Sequence, residues 1–243
     1  MQGVLYVSHG SRYATTKSEV NQFIADVKVE IPIHLQEICY LELADPDIHQ
    51  GINNLVLQGA TAIAVIPVLL LRAGHYYQDI PEIINQQKAM YPHVSFSYGQ
   101  PLGVQNRLTS ILAERIKETN RPIDPNAKVF VVGRGSSNPQ TKKDMEAIAD
   151  RLQAFIGVDQ VEACYLAACD PSFETMLEKA VAGESAQIII VPYIWFTGFL
   201  TRFMNEKVAE LDNHGKEILL CKHLGAHVAM KQALRDRVIE AVS

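Results

Sequence analysis

The sequence predicts an α/β protein made of two tandem, duplicated lobes, each a doubly wound parallel sheet, and two observations carry that prediction. The chain is written twice: sliding it by 125 positions lays Val4, Val7, Gly10 and Ser11 on Val129, Val132, Gly135 and Ser136, and Cys39-Tyr40-Leu41 on Cys164-Tyr165-Leu166. The same shift matches Asp45-Pro46 to Asp170-Pro171, Val56 to Val181, Ile63 to Ile188 and Pro67 to Pro192; after a three-residue deletion Leu102-Gly103 falls on Leu224-Gly225. Within each copy, short β-branched runs alternate with longer segments of helical period.

In order, the first copy reads strand Val4–Ser8, helix Ala14–Glu30, strand His34–Leu41, helix Asp47–Gln58, strand Ala62–Leu71, helix Gln78–Met90, strand Val94–Tyr98 and helix Val104–Glu118. Unbroken apolar runs such as AIAVIPVLLL and QIIIVPYIW call for sheets covered on both faces, hence parallel strands with helices on either side. The stretch Glu118 to Asn126, ETNRPIDPN, carries two prolines and two asparagines that end a helix and make a connector. The boundary is therefore expected there, with an active lobe at 1–120 and a degenerate repeat at 127–243.

Composition narrows the function classes. With 48% apolar and 20% charged residues the chain is ordinary for a soluble globular protein. A net charge of -5 without a Lys/Arg cluster argues against nucleic acid. The longest apolar runs, Ala62 to Leu71 and Ile188 to Leu200, fall short of the roughly 20 residues a bilayer requires, and each contains a proline, so no membrane partner is expected. Cys39, Cys164, Cys169 and Cys221 show no CxxC pairing and sit in or beside apolar segments, which reads as buried thiols in a reducing compartment. MQGVLYV has no basic n-region, so a cytoplasmic location is expected.

Ligands of open parallel sheets bind beyond the carboxyl ends of the strands. After the first strand stands Ser8-His9-Gly10-Ser11-Arg12, at the end of the second Glu42, and after the third Arg72-Ala73-Gly74-His75, followed by Asp79 and Glu82. Two imidazoles and a carboxylate thus share one rim. The second copy is an internal comparison, because the shift carries His9 to Arg134, Glu42 to Ala167 and His75 to Leu200. All three polar groups vanish while the scaffold persists, so the first copy alone is expected to react. His9, Glu42 and His75 make a borderline-hard donor set suited to Fe²⁺, Co²⁺, Ni²⁺ or Zn²⁺, and three protein ligands leave positions open for handing the ion onward. Histidine, with an ordinary value of about 6.5, also serves as a proton acceptor near neutrality.

Taken alone, His9-Gly10-Ser11 is a tight turn with Ser11 capping the next helix, and Glu42 is a solvated carboxylate. Asp79 and Glu82 suit the positive start of a helix, Asp79 or Glu82 orienting His75 being the sharper reading. The remaining histidines share no rim and are assigned to surface or packing.

VSHGSR near the N-terminus, YLELADP, and the apolar strand followed by AGHYYQDIPE together resemble the sirohydrochlorin chelatases of the class II type, over essentially the whole chain. The resemblance implies a chelatase-like fold of two flavodoxin-like lobes facing each other across a cleft. It further implies that His9 and His75 are catalytic and metal-contacting, that Glu42 completes the metal site, and that the reaction is insertion of Fe²⁺ or Co²⁺ into sirohydrochlorin for sirohaem or cobalamin. No permanently bound cofactor is implied. A polycarboxylate substrate calls for local cations, and Arg12, Arg72, Arg134 and Arg202 fall in or near rim loops. Gly74 and Phe199 join them as candidate substrate contacts, Phe199 within the aromatic run Trp195 to Leu200, which reads otherwise as core. Two lobes in one chain predict a monomer.

Rival functions fare worse. Gly133-Arg134-Gly135 begins a dinucleotide fingerprint, but Asn138 stands at its third glycine. Nothing matches GxxxxGK[ST], so ATP is not expected. A non-catalytic carrier of tetrapyrrole or metal would keep the same pocket, and turnover separates it from an enzyme.

Overall fold

The computed structural model describes all residues, Met1–Ser243. The elements run β1 Gln2–Ser8, α1 Ala14–Val29, β2 Leu35–Tyr40, α2 Ile48–Leu57, β3 Ala62–Pro67, a π-helical turn His75–Asp79, α3 Ile80–Met90, β4 Ser95–Tyr98 and α4 Asn106–Lys117. The second copy repeats them as β5 Lys128–Gly133, α5 Pro139–Ile156, β6 Val161–Tyr165, α6 Phe173–Ala182, β7 Gln187–Pro192, α7 Phe199–Glu210, β8 Glu217–Leu220 and α8 Val228–Val242. There are two four-stranded parallel sheets, ordered β2-β1-β3-β4 and β6-β5-β7-β8.

The apolar runs occupy the sheet centres. Val4 to Val7 on β1, Ile63 to Ile66 on β3 and Ile188 to Val191 on β7 are buried, whereas the outer strands β4 and β8 are only partly so. Helix α2 is opened by Asp47 and Gln50 in a reciprocal capping box. It lies close on β1, where a Cβ at Gly51 would stand 2.7 Å from Leu5. β3 stops at Pro67 rather than continuing to Leu71, since the next residue makes one last bond, Val68 N–H to the Val7 carbonyl, before the chain leaves the sheet.

The compact units do not coincide with the sequence copies. One is Met1–Gly103 together with Met230–Ser243, the other Val104–Ala229. Sequence placed α4 with the first copy and α8 with the second; the helices have exchanged units. In the first unit α8 is held by Lys231 on Asp26 of α1 at 2.6 Å, by Arg237 on the Leu102 carbonyl and by Ser97 on the Ala241 carbonyl. In the second, Arg115 of α4 donates to the His223 and Leu224 carbonyls. Both helices bury apolar side chains, Leu108, Ile111, Leu112 and Ile116 on α4 and Met230, Leu234 and Val238 on α8, and such residues do not state which sheet they cover.

No helix is long and apolar enough to cross a membrane. Cys39, Cys164 and Cys221 are buried, but Cys169 is only partly so, because it lies in the loop between β6 and α6.

Candidate functional site

His9 follows β1 and Glu42 follows β2, and the backbone joins them before the side chains do. The Leu41 N–H donates to the Ser8 carbonyl at 2.8 Å and the Glu42 N–H to the His9 carbonyl at 3.1 Å. This zips the two loops together beyond the sheet. Gly10 makes the approach feasible: its φ is +95°, and a Cβ there would lie 1.7 Å from the Glu42 carbonyl oxygen. The second copy keeps the device at Gly135, whose Cβ would lie 1.9 Å from the Ala167 oxygen. Ser11 does not cap α1, contrary to the sequence expectation. The helix starts at Ala14 as expected, but its N-cap is Tyr13, without a side-chain cap, and the Ser11 hydroxyl accepts from the Tyr13 N–H at 3.1 Å to close the preceding turn.

The result is a pair of contacts that share His9. Its Nε2 stands 3.4 Å from Glu42 Oε1, and its ring meets that of His75 edge to face, with centroids 4.9 Å apart. His75 is the first residue of the π-helical turn, earlier than the helix start expected at Gln78, and its Nδ1 is 2.6 Å from Asp79 Oδ2. That bond leaves Nε2 as the ring nitrogen for a ligand. Glu82 falls in the first turn of α3. No three His, Cys, Asp or Glu side chains converge closely enough to enclose an ion; His9 is the hinge of two pairs, and the donors stand open around it. All three side chains are between one third and one half exposed or slightly less, His9 at 35%, Glu42 at 49% and His75 at 30%.

The other expected contacts lie on the same strand ends. Arg12 is exposed, and Arg72 is exposed with its guanidinium on Gln100 at 2.6 Å and over the Tyr76 ring. Gly74 precedes the π-helical turn with open space beside it. Gln100 as a partner for Arg72 was not legible in sequence, since the two are far apart along the chain. On the second unit Arg134 is exposed after β5, and Phe199 is 63% exposed at the start of α7, stacked on Phe203. Trp195 by contrast is core, 5% exposed and stacked on Phe196. The first helical residues of the two copies are Gly74 and Phe199, which keeps the apolar Leu200 of the second copy in register with His75, as in the sequence match.

A family model described as CbiX matches residues 3–119 and, a second time, residues 128–241. The chain is similar to the sirohydrochlorin ferrochelatase of Priestia megaterium, 40% identical over 238 residues that make up 98% of this chain and 90% of the relative. It is also similar to the sirohydrochlorin cobaltochelatase of the same organism, 32% identical over 248 residues, 100% of this chain and 80% of the relative. Among solved structures, SirB from Bacillus subtilis with Fe³⁺ superposes with a TM-score of 0.90 at 38% identity, covering 100% of this chain and 96% of that one.

Proposed function

The chain belongs to the CbiX family, and on that premise we propose that it is an ATP-independent chelatase that inserts a divalent metal, Fe²⁺ before Co²⁺, into sirohydrochlorin. Relatives named for each metal are similar to it along nearly its whole length. The observation that carries the residue assignment is His9, set between Glu42 and His75 on one rim, where the second copy offers Arg134, Ala167 and an apolar side chain.

The chemistry follows from what the donors are. Imidazole nitrogens and a carboxylate hold Fe²⁺ or Co²⁺ with intermediate strength, and a protein supplying two or three of them leaves the remaining positions to water and then to the macrocycle nitrogens. Insertion expels two pyrrole N–H protons for each M²⁺ that enters. As the ion moves from an imidazole to a pyrrole nitrogen, the lone pair it vacates on the imidazole is a base in contact with the proton that must leave. His9 and His75 therefore serve as ligand first and proton acceptor second, while Glu42 offsets the charge of the arriving cation. Arg12 and Arg72 offer the substrate carboxylates cations on the same rim. Arg134 and Phe199 offer a cation and an exposed ring on the second unit.

The test is a steady-state absorbance assay with sirohydrochlorin and Fe²⁺ or Co²⁺ under anaerobic conditions, comparing the natural chain with His9→Ala and His75→Ala. Many turnovers, lost in both variants, are expected. Product that never exceeds the protein concentration would instead make the chain a carrier.

A further inference from the structure

The helix that carries His75 widens within its first turn. Residues His75–Asp79 form a π-helical turn, closed by the Ile80 N–H on the His75 carbonyl five residues back. The cause lies just beyond, at Pro81. A proline inside a helix lacks the N–H and drives its ring into the carbonyl four residues earlier, here that of Tyr77, and a wider turn relieves the clash. Widening leaves the Tyr76 carbonyl without a helical partner: the Ile80 N–H is taken, and the residue five ahead is Pro81. Tyr98, on β4, supplies the missing donor, its hydroxyl bonding the Tyr76 carbonyl at 3.0 Å while the two rings stack at 5.0 Å. Burial pushes the Tyr98 hydroxyl well above its ordinary value, which keeps it a donor.

The turn changes which side chains meet. In an α-helix the fourth residue along overshoots the first by about 40° around the axis. A wider turn carries that residue back to the other side of the first, so the side from which it meets the ring depends on the turn, and here the Asp79 carboxylate sits 2.6 Å from His75 Nδ1.

The second copy supplies the comparison. Strand register pairs Val65 with Tyr98 and Ile190 with Leu220, so a leucine stands where the Tyr98 hydroxyl would be. Helix α7 opens directly as an α-helix at Phe199 and contains no proline. Histidine, carboxylate, proline and tyrosine are absent together, although the loop pins are kept, with Leu102 on the Leu69 carbonyl and Leu224 on that of Ile194.

We propose that Asp79 is a positioning residue for His75, and that the π-helical turn made by Pro81 and latched by Tyr98 sets this pair. By accepting the Nδ1 hydrogen, Asp79 holds the neutral ring in one tautomer with its lone pair on Nε2. The proposal rests on the chelatase reading for what His75 does, but not for how it is held.

Nitrogen chemical shifts of His75 in the metal-free chain, measured at mildly alkaline pH for the natural protein, Asp79→Ala, Pro81→Ala and the double variant, test the device without turnover. Metal-insertion rates give a second readout. A ring protonated on Nδ1 is expected in the natural protein and a mixture of tautomers in each variant. The kcat should fall about 10–100-fold, the usual effect of removing such a partner, with KM for the tetrapyrrole unchanged. Because Pro81 acts through Asp79, the double variant should be no slower than Asp79→Ala alone. Tyr98→Phe, which removes one oxygen from an otherwise intact core, should shift the same nitrogens in the same direction. A natural His75 protonated on Nε2, or losses from Asp79→Ala and Pro81→Ala that multiply, would overturn the proposal. An Nδ1-protonated ring in a chain that inserts no metal would support the device and overturn the chelatase reading.

Discussion

His9 and Glu42 are joined twice, through side chains 3.4 Å apart and through the Glu42 N–H on the His9 carbonyl at 3.1 Å. The second bond depends on the absence of a side chain at Gly10. Gly10→Ala would force a Cβ to within 1.7 Å of the Glu42 carbonyl at a φ of +95°, and should cost on the order of 3 kcal/mol. Gly135→Ala should cost a similar amount in the other unit, where the distance is 1.9 Å. Urea unfolding measures both, and a Co²⁺ titration should register only the first. A Gly10→Ala chain of undiminished stability would refute the steric argument.

Glu42→Gln keeps the shape and removes the charge. The carboxylate is 49% exposed, so its pairing with His9 contributes less than about 1 kcal/mol to stability, and the melting temperature should barely move. The metal concentration for half-maximal insertion should rise roughly 10-fold or more. An unchanged metal dependence would remove Glu42 from the site.

Leu43 and its counterpart Ala168 hold left-handed backbone, with φ of 62° and 61°. That conformation costs a side-chain-bearing residue about 1–2 kcal/mol, against about 0.5–1 kcal/mol for the greater entropy a glycine loses on folding. Leu43→Gly and Ala168→Gly should therefore each stabilise the chain by about 0.5–1 kcal/mol, read as a higher urea midpoint at constant slope. A lower midpoint would mean that the side chains support the turn.

Burial pushes the thiols of Cys164 and Cys221 up to about 12, and that of Cys39 well above its ordinary value. Only Cys169, partly exposed in its loop, is placed to react. A thiol-specific disulfide reagent should modify one cysteine of the folded chain rapidly and the other three only on unfolding. Rapid reaction at Cys39 would contradict the burial.

The tie between α1 and α8 makes a pH prediction. The hydrogen bond from Lys231, and secondarily that from Gln22, holds the Asp26 carboxyl below its ordinary value. A carboxylate lowered in the folded state contributes stability above its unfolded value, about 3.9, and loses it as pH falls through the folded one. The natural chain should exceed Lys231→Met in melting temperature at neutral pH, and the gap should close below about pH 4. A gap that persists into stronger acid would assign the contribution to Lys231 packing instead.

Much of this architecture was legible because buried parallel strands announce themselves. AIAVIP and QIIIVP can only be covered on both faces, and the duplication fixed their equivalence. His9, Glu42 and His75 could be grouped because each follows a strand. Less was written in what α4 and α8 cover, since the apolar residues of a helix carry no address. Ser11 misled because a hydroxyl closes a turn as readily as it caps a helix. The wider turn at His75 did have a sequence signal, Pro81, but a proline near a predicted helix start reads first as an ordinary helix opener.

The exchange of α4 and α8 also orders the birth of the molecule. One unit, Val104–Ala229, is a single unbroken segment; the other, which holds His9, Glu42 and His75, needs both ends of the chain. On the ribosome, where folding generally proceeds from the N-terminus, the later-encoded unit is the first whose every element has been made. The rim proposed to handle the metal thus waits for α8, and synthesis stopped short of Met230 would release a finished second unit attached to an uncompleted first one.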